Sequence, residues 1–132
     1  KLMNKPYTIV GDGKQKRDFL HVRDVAKAFY MASLSKYKNR TYNLGAGNPQ
    51  KIIDLVKILK GPYNFIPKRP GEPKCTWADI KKFKKEIKWK PKISFDTGVA
   101  EMLNNIQNWE NAPLWDKKSI KKATNLWFKH LS

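Results

Sequence analysis

Runs of β-prone residues predict four short strands. The first covers residues 7–10, and Gly11-Asp12-Gly13 after it is a turn in which glycine permits positive φ. The other three are RDFLHV (17–22), TYNLGAG (41–47) and YNFIP (63–67). In RDFLHV apolar residues fall on both sides of the alternation, which is typical of a strand covered on both faces.

Apolar residues at helical spacing predict five helices. The segment VAKAFYMASL (25–34) follows Asp24, whose carboxylate is expected to cap its first turn. PQKIIDLVKIL (49–59) carries one apolar stripe and is closed by Gly61-Pro62. A short third helix is predicted to be capped by Asp79 and carries Ile80, Phe83 and Ile87. A longer fourth helix begins at Ser94, and one face of it carries Val99, Met102, Leu103, Ile106 and Trp109. In a terminal helix the residues facing the body are Ile120, Ala123, Trp127 and Leu131.

The alternation of short strands and helices places the chain in the α/β class. The segment KRPGEPK (68–74) is predicted to be a loop, because its prolines and glycine interrupt both a helix and a strand ladder. Three or four short strands make a poor independent sheet of the doubly wound kind. We therefore expect that part of the complete architecture lies outside these 132 residues.

The composition is that of a folded chain with one core, since 40% of the residues are hydrophobic and 12% are aromatic. No apolar run reaches the roughly 20 residues of a membrane span, and the first residues lack the plan of a signal peptide, so a cytoplasmic protein is expected. Cys75 is the only cysteine, which excludes an internal disulfide and a multi-cysteine zinc site. It is expected to be a small buried apolar side chain.

The net charge of +17 raises the alternative of a basic nucleic-acid-binding protein. The basic residues, however, are spread along the whole chain, and lysine greatly outnumbers arginine. Arginine is the residue that reads base edges and grips phosphate with two bonds. Specific binding of nucleic acid therefore stays the less favoured interpretation.

Four segments in this order carry a family resemblance: TIVGDGKQKRDFLHVRDVAKA (8–28), TYNLGAG (41–47), RPGEPKCTWADI (69–80) and WKPKISFDTGV (89–99). Together they resemble the carboxy-terminal part of the NAD-dependent epimerase/dehydratase family, the extended short-chain dehydrogenases that act on nucleotide-diphosphate sugars. The UDP-glucose 4-epimerase and dTDP-glucose 4,6-dehydratase branches are the most similar. The resemblance implies that residues 1–110 are the nucleotide-sugar-binding carboxy-terminal region. Residues 111–132 lie outside the resemblance and are interpreted as an accessory terminal helix, packed through Trp115 and Trp127.

The resemblance also assigns three substrate-binding residues, and the chemistry of the segment suggests Gln15 as a fourth. Arg17 and Arg69 match the two arginines that reach the substrate's diphosphate, Glu72 matches the acidic residue beside the ribose hydroxyls, and Gln15 adds a neutral contact. A guanidinium is chemically suited to a diphosphate, because its planar fork of donors pairs with two oxygens at once. Without the resemblance, Arg17 is equally well interpreted as a surface residue paired with Asp18, and Arg69 as a residue that only decorates its loop.

Several features of the complete family are absent from these 132 residues. There is no G-x-G-x-x-G turn for a dinucleotide and no Tyr-x-x-x-Lys pair, so no catalytic, cofactor-binding or metal-binding residue is assigned. We expect the complete enzyme to hold NAD on a Rossmann portion missing here, and we expect the isolated chain to be inactive. The surfaces that would pack on that portion, on 41–45 and on the first two helices, are expected to leave an apolar patch that favours a homo-oligomer. A free-standing nucleotide-sugar-binding module is the alternative.

Overall fold

The computed structural model describes residues 1–113 and 116–131, the last of these in its backbone only. It confirms the α/β class, with short strands and packed helices. The strands are β1 (Tyr7–Val10), β2 (Lys16–Arg17), β3 (Gln50–Lys51) and β4 (Tyr63–Ile66). The helices are α1 (Val22–Ser33), α2 (Ile52–Leu59), α3 (Lys81–Ile87), α4 (Phe95–Asn104), a 3-10 turn (Ile106–Trp109) and α5 (Lys117–Leu131).

The strands form two separate pairs. β1 and β4 are parallel, with Tyr7 opposite Tyr63, and β2 is antiparallel to β3. The predicted turn after β1 is confirmed, since Gly11 and Gly13 have φ of 64° and 71°. At Gly13 a Cβ atom would lie 3.1 Å from the side chain of Ile53, so this turn brings β1 close to the start of α2.

The main apolar cluster lies between α1 and α3. It consists of Ala28, Phe83, Ile87 and Trp89. The ring of Phe83 makes edge contacts with Tyr42 and Trp89, at centroid distances of 5.0 and 5.4 Å. The Tyr42 hydroxyl donates to Glu86 Oε2 at 2.5 Å. Burial, and then this carboxylate, raise the pKa of Tyr42 to about 12.

Two of the predicted strands are wrong. Within RDFLHV only Arg17 belongs to a strand, and residues 41–47 have no strand assignment. The physical reason is the Asp18 carboxylate, which takes backbone N–H groups that a strand ladder would need. Its Oδ1 accepts from Ala46 N (3.0 Å) and Gly47 N (2.9 Å), and its Oδ2 accepts from Ala78 N (3.2 Å).

Asp24 is not the cap of the first helix. The cap position is taken by His21, whose Nδ1 accepts from Arg23 N at 3.2 Å, and α1 therefore begins at Val22. Asp24 instead lies inside the first turn and is buried, with 5% exposure. Its Oδ2 accepts from the backbone N–H groups of Lys92 and Ile93, at 3.0 and 2.9 Å. This carboxylate thus ties α1 to the segment that precedes α4.

Some of the other predicted helix starts and strands agree with the structure. α2, however, begins at Ile52 rather than at residue 49, because residues 50–51 pair with β2 as β3, and the cap position of α3 is Ile80 rather than Asp79. β1, β4 and the 68–74 loop lie where the sequence predicts them. Ser94 caps α4 by accepting from Thr97 N at 3.2 Å, and Asp79 Oδ1 accepts from the N–H of Lys81, the first residue of α3, at 2.9 Å.

The predicted inner faces of the last helices need correction. α4 ends at Asn104, and Met102 and Trp109 on its expected buried face are 42% and 60% exposed. In α5 the half-buried positions are Ser119, Ile120, Thr124 and Phe128, whereas Ala123 and Trp127 are exposed. Trp115, which was expected to pack this helix, and the side chain of Leu131 lie outside the described residues. Cys75 is exposed rather than buried.

Of the three surfaces expected to be apolar, only the outer face of α1 exposes large apolar side chains; residues 41–45 and α2 expose none. Val22, Phe29, Tyr30 and Leu34 are 72, 68, 57 and 70% exposed, although they follow helical spacing as regularly as the inner face does. We refer to these four residues as the α1 patch. Among the described residues, none of the helices has the length and apolarity to cross a membrane.

Candidate functional site

A cleft of about 430 Å³ opens beside the end of β1, and we name it the β1 cleft. One wall is the turn after β1 and the other is the loop that follows β4. Backbone hydrogen bonds hold the two walls together: Gly11 N donates to Ile66 O at 2.9 Å, and Lys16 N donates to Lys74 O at 2.8 Å. The lining residues are Val10, Gly11, Asp12, Lys14, Gln15, Lys68, Glu72, Pro73 and Lys74.

Arg17 is held at the edge of this cleft by three protein acceptors. Its Nη1 donates to the carbonyl oxygens of Lys16 at 2.8 Å and Pro73 at 3.1 Å. Its Nη2 donates to Glu72 Oε1 at 2.8 Å. A guanidinium has five donors, and the Nε–H and the second Nη2–H of Arg17 make no hydrogen bond to the described residues. The group is thus fixed in place with two donors left for a ligand.

Glu72 links Arg17 to the loop. The ion pair is largely shielded from water, with side-chain exposures of 24% for Arg17 and 16% for Glu72. The N–H of Glu72 also donates to the carbonyl oxygen of Arg69 at 3.3 Å, which closes a turn over residues 69–72. Arg17 is therefore not paired with Asp18, whose carboxylate is occupied by three backbone N–H groups.

Gln15 lies in the same cleft but has a structural bond of its own. Its Nε2 donates to the carbonyl oxygen of Val10 at 2.8 Å, across the turn after β1. Its side-chain oxygen is still available as an acceptor. On the same turn, hydrogen bonding from Lys14 N and the Lys14 charge lower the pKa of Asp12 below its ordinary value.

Arg69 lies in a second cleft, of about 380 Å³, which we name the α5 cleft. Arg69 is half-buried, and its guanidinium makes no hydrogen bond or ion pair to the residues that the structure describes. A hydrogen bond joins α5 to the residue after Arg69: Trp127 Nε1 donates to Pro70 O at 2.6 Å. The lining residues are Ile66, Pro67, Arg69, Lys117, Ile120, Lys121, Thr124, Asn125 and Phe128.

The structure thus brings together three of the four predicted site residues. Gln15 and Glu72 line the β1 cleft and Arg17 is bonded to Glu72, whereas Arg69 lines the α5 cleft. The sequence analysis missed Asp18 as the organiser of this region. No local pattern identifies it, since its hydrogen-bond partners lie 28 to 60 residues further along the chain.

The chemistry available here is the binding of an anion. The cations of Lys14, Lys68 and Lys74 line the β1 cleft, and Arg17 is bonded to two other lining residues, Glu72 and Pro73. Within residues 1–113 and 116–131 no group of three His, Cys, Asp or Glu side chains is placed to hold a metal ion.

The chain is similar to one family model and to several known proteins over most of its length. Residues 1–102 match the family model described as GDP-mannose 4,6 dehydratase. UDP-glucuronate 4-epimerase of Thermodesulfobacterium geofontis is 37% identical over 124 residues, which cover 89% of this chain and 37% of that protein. A dTDP-glucose 4,6-dehydratase of Escherichia coli is 30% identical over 131 residues, which cover 83% of this chain and 36% of that protein.

The fold is also shared with a solved structure. UDP-glucuronic acid 4-epimerase from Bacillus cereus, in complex with UDP-glucuronic acid and NAD, superimposes with a TM-score of 0.74 at 32% identity. The superposition covers 81% of this chain and 37% of that protein. The chain spans about a third of the length of the curated relatives that it matches.

Proposed function

Because this chain belongs to the nucleotide-sugar epimerase and dehydratase family described by the GDP-mannose 4,6 dehydratase model, we propose that it is the part of such an NAD-dependent enzyme that binds the nucleotide diphosphate of the substrate. Residues 1–110 form this region in the proposal, with a UDP- or dTDP-sugar as ligand. The observation that carries the proposal is the Arg17 guanidinium, which three protein acceptors fix while two donors stay available.

Arg17 is the principal contact to the diphosphate in this proposal. Since its position is set before the ligand arrives, little side-chain entropy is lost on binding. Each charge-assisted hydrogen bond to a phosphate oxygen contributes roughly 1.5 to 3 kcal/mol. Arg69 binds the same diphosphate from the other side of the 69–72 turn, where the guanidinium has no partner among the described residues.

Glu72 and Gln15 orient the nucleoside. The carboxylate of Glu72 accepts one bond from Arg17 and has lone pairs left for the ribose hydroxyls. Gln15 offers its side-chain oxygen from the opposite wall of the β1 cleft. Glu72 also serves the phosphate indirectly, since its negative charge holds Arg17 in place and limits the attraction of unselected anions.

The chemical step belongs to the complete enzyme. There, NAD held by residues outside these 132 would supply the hydride chemistry. The 132 residues offer neither the glycine-rich turn that holds NAD nor the Tyr-x-x-x-Lys pair that moves the proton. The proposal therefore assigns to this chain the binding and orientation of the nucleotide, and no turnover by the chain alone.

Titration calorimetry with UDP tests the proposal. We expect wild-type protein to bind UDP with one site, and we expect Arg17→Ala and Arg69→Ala each to weaken binding by about tenfold or more. Arg40→Ala is the matched control, because Arg40 is exposed and lines neither cleft. Equal UDP affinity of all four proteins, or no binding at all, contradicts the proposal.

The same experiment separates the two alternative functions. A basic nucleic-acid-binding protein should prefer single-stranded DNA to UDP, with an affinity that falls steeply as salt rises. A free-standing nucleotide-sugar-binding module should bind UDP with the same dependence on Arg17 but should have no Rossmann portion encoded upstream. Sequencing the coding region before residue 1 distinguishes that module from the enzyme part.

We propose in addition that the α1 patch packs on the missing Rossmann portion of the complete enzyme. An isolated chain that exposes this face is expected to self-associate. Sedimentation velocity should then show species larger than a monomer, and Phe29→Lys should restore the monomer. Tyr63→Lys is the control, because Tyr63 is an exposed aromatic residue on β4, outside the α1 patch. Monomeric wild-type protein contradicts this part of the proposal.

A further inference from the structure

The α5 cleft has an unusual charge pattern. Three of the described residues that line it are cationic, namely Arg69, Lys117 and Lys121, and none of them is acidic. Its floor is apolar and includes Ile66 and Phe128. Cations that share a cleft repel one another, and an apolar wall on one side weakens their screening by water. The entry of an anion into such a cleft therefore lowers the free energy.

The two lysines reach this cleft because of the helical repeat of α5. Lys117 and Lys121 are four residues apart and therefore lie on one face of the helix. Lys118 and Lys122 are also four residues apart, and all four lysines are exposed, but Lys118 and Lys122 do not line the cleft. The bond from Trp127 Nε1 to Pro70 O sets how α5 lies against the loop that carries Arg69.

The nearest carboxylate along the chain, Asp116, is occupied elsewhere. Its Oδ1 accepts from the backbone N–H of Ser119 at 2.7 Å and from the Ser119 hydroxyl at 2.9 Å. These bonds, with the charge of Lys5, lower the pKa of Asp116 below its ordinary value. Asp116 is therefore used in starting the helix and forms no ion pair with the lysines of the cleft among the described residues.

We propose that α5 is part of the phosphate-binding site, with Lys117 and Lys121 binding the diphosphate of the nucleotide together with Arg69. This inference rests on the function proposed above. It changes the role of the terminal segment from an accessory packing helix to a ligand-binding element. The match to the family model ends at residue 102, before these two lysines.

The two kinds of cation serve different purposes here. Arg69 provides a planar fork that fixes the direction of phosphate oxygens, whereas lysines are compact charges on flexible stems that follow the ligand. Arg17 and Arg69 alone supply two positive charges, one of which Glu72 already balances. Lys117 and Lys121 restore the excess of positive charge that a diphosphate requires.

Calorimetry with UDP at an ionic strength of roughly 0.15 M tests the inference. The variant is the double substitution Lys117→Ala with Lys121→Ala, and the matched control is Lys118→Ala with Lys122→Ala, which removes the same charge from the neighbouring face of the same helix. We expect the first pair to weaken UDP binding by about tenfold and the control pair to leave it within about twofold. Circular dichroism establishes that both variants keep their helices, and Lys117→Arg with Lys121→Arg should retain most of the affinity.

Each outcome decides between the inference and the proposed function. Equal UDP affinity of the two double variants overturns the inference, and the proposed function then stands if Arg17→Ala still weakens binding. Dependence on Lys117 and Lys121 without dependence on Arg17 supports the inference and overturns the role of Arg17. Wild-type protein that binds neither UDP nor inorganic pyrophosphate overturns both.

Discussion

Arg17 borders the β1 cleft and Arg69 lines the α5 cleft, and the two arginines differ in their protein partners. Arg17 donates to two carbonyl oxygens and to Glu72, so its charge is balanced and its position is fixed. Arg69 is half-buried beside two lysines and forms no ion pair with the described residues. Arg17 therefore offers a ligand donors in fixed positions, and Arg69 offers it an unbalanced positive charge.

This difference teaches how a small chain with a net charge of +17 can still select a ligand. Unpaired cations attract every anion. A guanidinium that is held by a carboxylate and two carbonyl oxygens has fixed donors, and it therefore binds only an anion of matching shape. The following predictions test whether the two arginines differ in this way.

The largest effect is expected from Asp18→Ala, which removes the carboxylate next to Arg17 that binds three backbone N–H groups. Asp18 binds the N–H groups of Ala46, Gly47 and Ala78, and their loss leaves half-buried donors unpaired. We expect the free energy of unfolding, measured with urea, to fall by about 3 kcal/mol. Asp96→Ala is the control, because Asp96 is exposed on α4, and a loss of stability as large in the control contradicts the role given to Asp18.

Asp18 also illustrates what the sequence could and could not predict. The β-prone run of β1, the glycine turn after it and the Ser94 cap depend on neighbouring residues, and all three were predicted. Residues 41–47 were predicted as a strand from the same kind of local pattern. The N–H groups of Ala46 and Gly47 bind Asp18 instead of a second strand, and this contact spans 28 residues or more.

The candidate site shows the same limit. The family resemblance identified Arg17, Arg69 and Glu72, but it gave no indication that Arg17 and Glu72 form an ion pair. The helical pattern predicted α5, yet it placed Ala123 and Trp127 on the inner face. Pairing to the loop rather than apolarity sets the orientation of this helix, since Trp127 donates to Pro70 O.

The next largest effect is expected in the free energy of unfolding of Arg17→Ala, compared with that of Arg69→Ala. Arg17→Ala leaves the shielded Glu72 carboxylate and two carbonyl oxygens without their donor, so we expect a loss of about 1 to 2 kcal/mol. Arg69→Ala removes no hydrogen bond to the described residues, and we expect a change within about 0.5 kcal/mol. Equal losses in urea unfolding would show that the two arginines do not differ as described.

A smaller effect is expected from Glu72→Gln, which removes the balancing charge and keeps the shape of the side chain. The Arg17 guanidinium keeps its bonds to the carbonyl oxygens of Lys16 and Pro73. We expect inorganic pyrophosphate to bind several-fold more tightly, because the repulsion by the carboxylate is gone. UDP should gain less than pyrophosphate, since its ribose loses an acceptor. A weaker binding of pyrophosphate would contradict this role of Glu72.

The smallest effect concerns a residue away from both clefts. Tyr42 has a folded-state pKa of about 12 against 10.0 ordinarily, because of burial and Glu86. The unfolded chain loses this proton first, so the contribution of Tyr42 to stability is complete below about pH 10 and is lost as the pH rises to about 12. Tyr42→Phe should reduce the fall in unfolding free energy over that range and should leave UDP binding unchanged. An unaltered fall would contradict the raised pKa.

A crystal structure of the chain with UDP tests most directly whether both arginines bind one diphosphate. We predict phosphate oxygens within about 3 Å of the Arg17 and Arg69 guanidinium groups in the same complex, with the Arg17 bond to Glu72 retained. A diphosphate bound by only one of the two arginines, or bound away from both clefts, would contradict the proposed site.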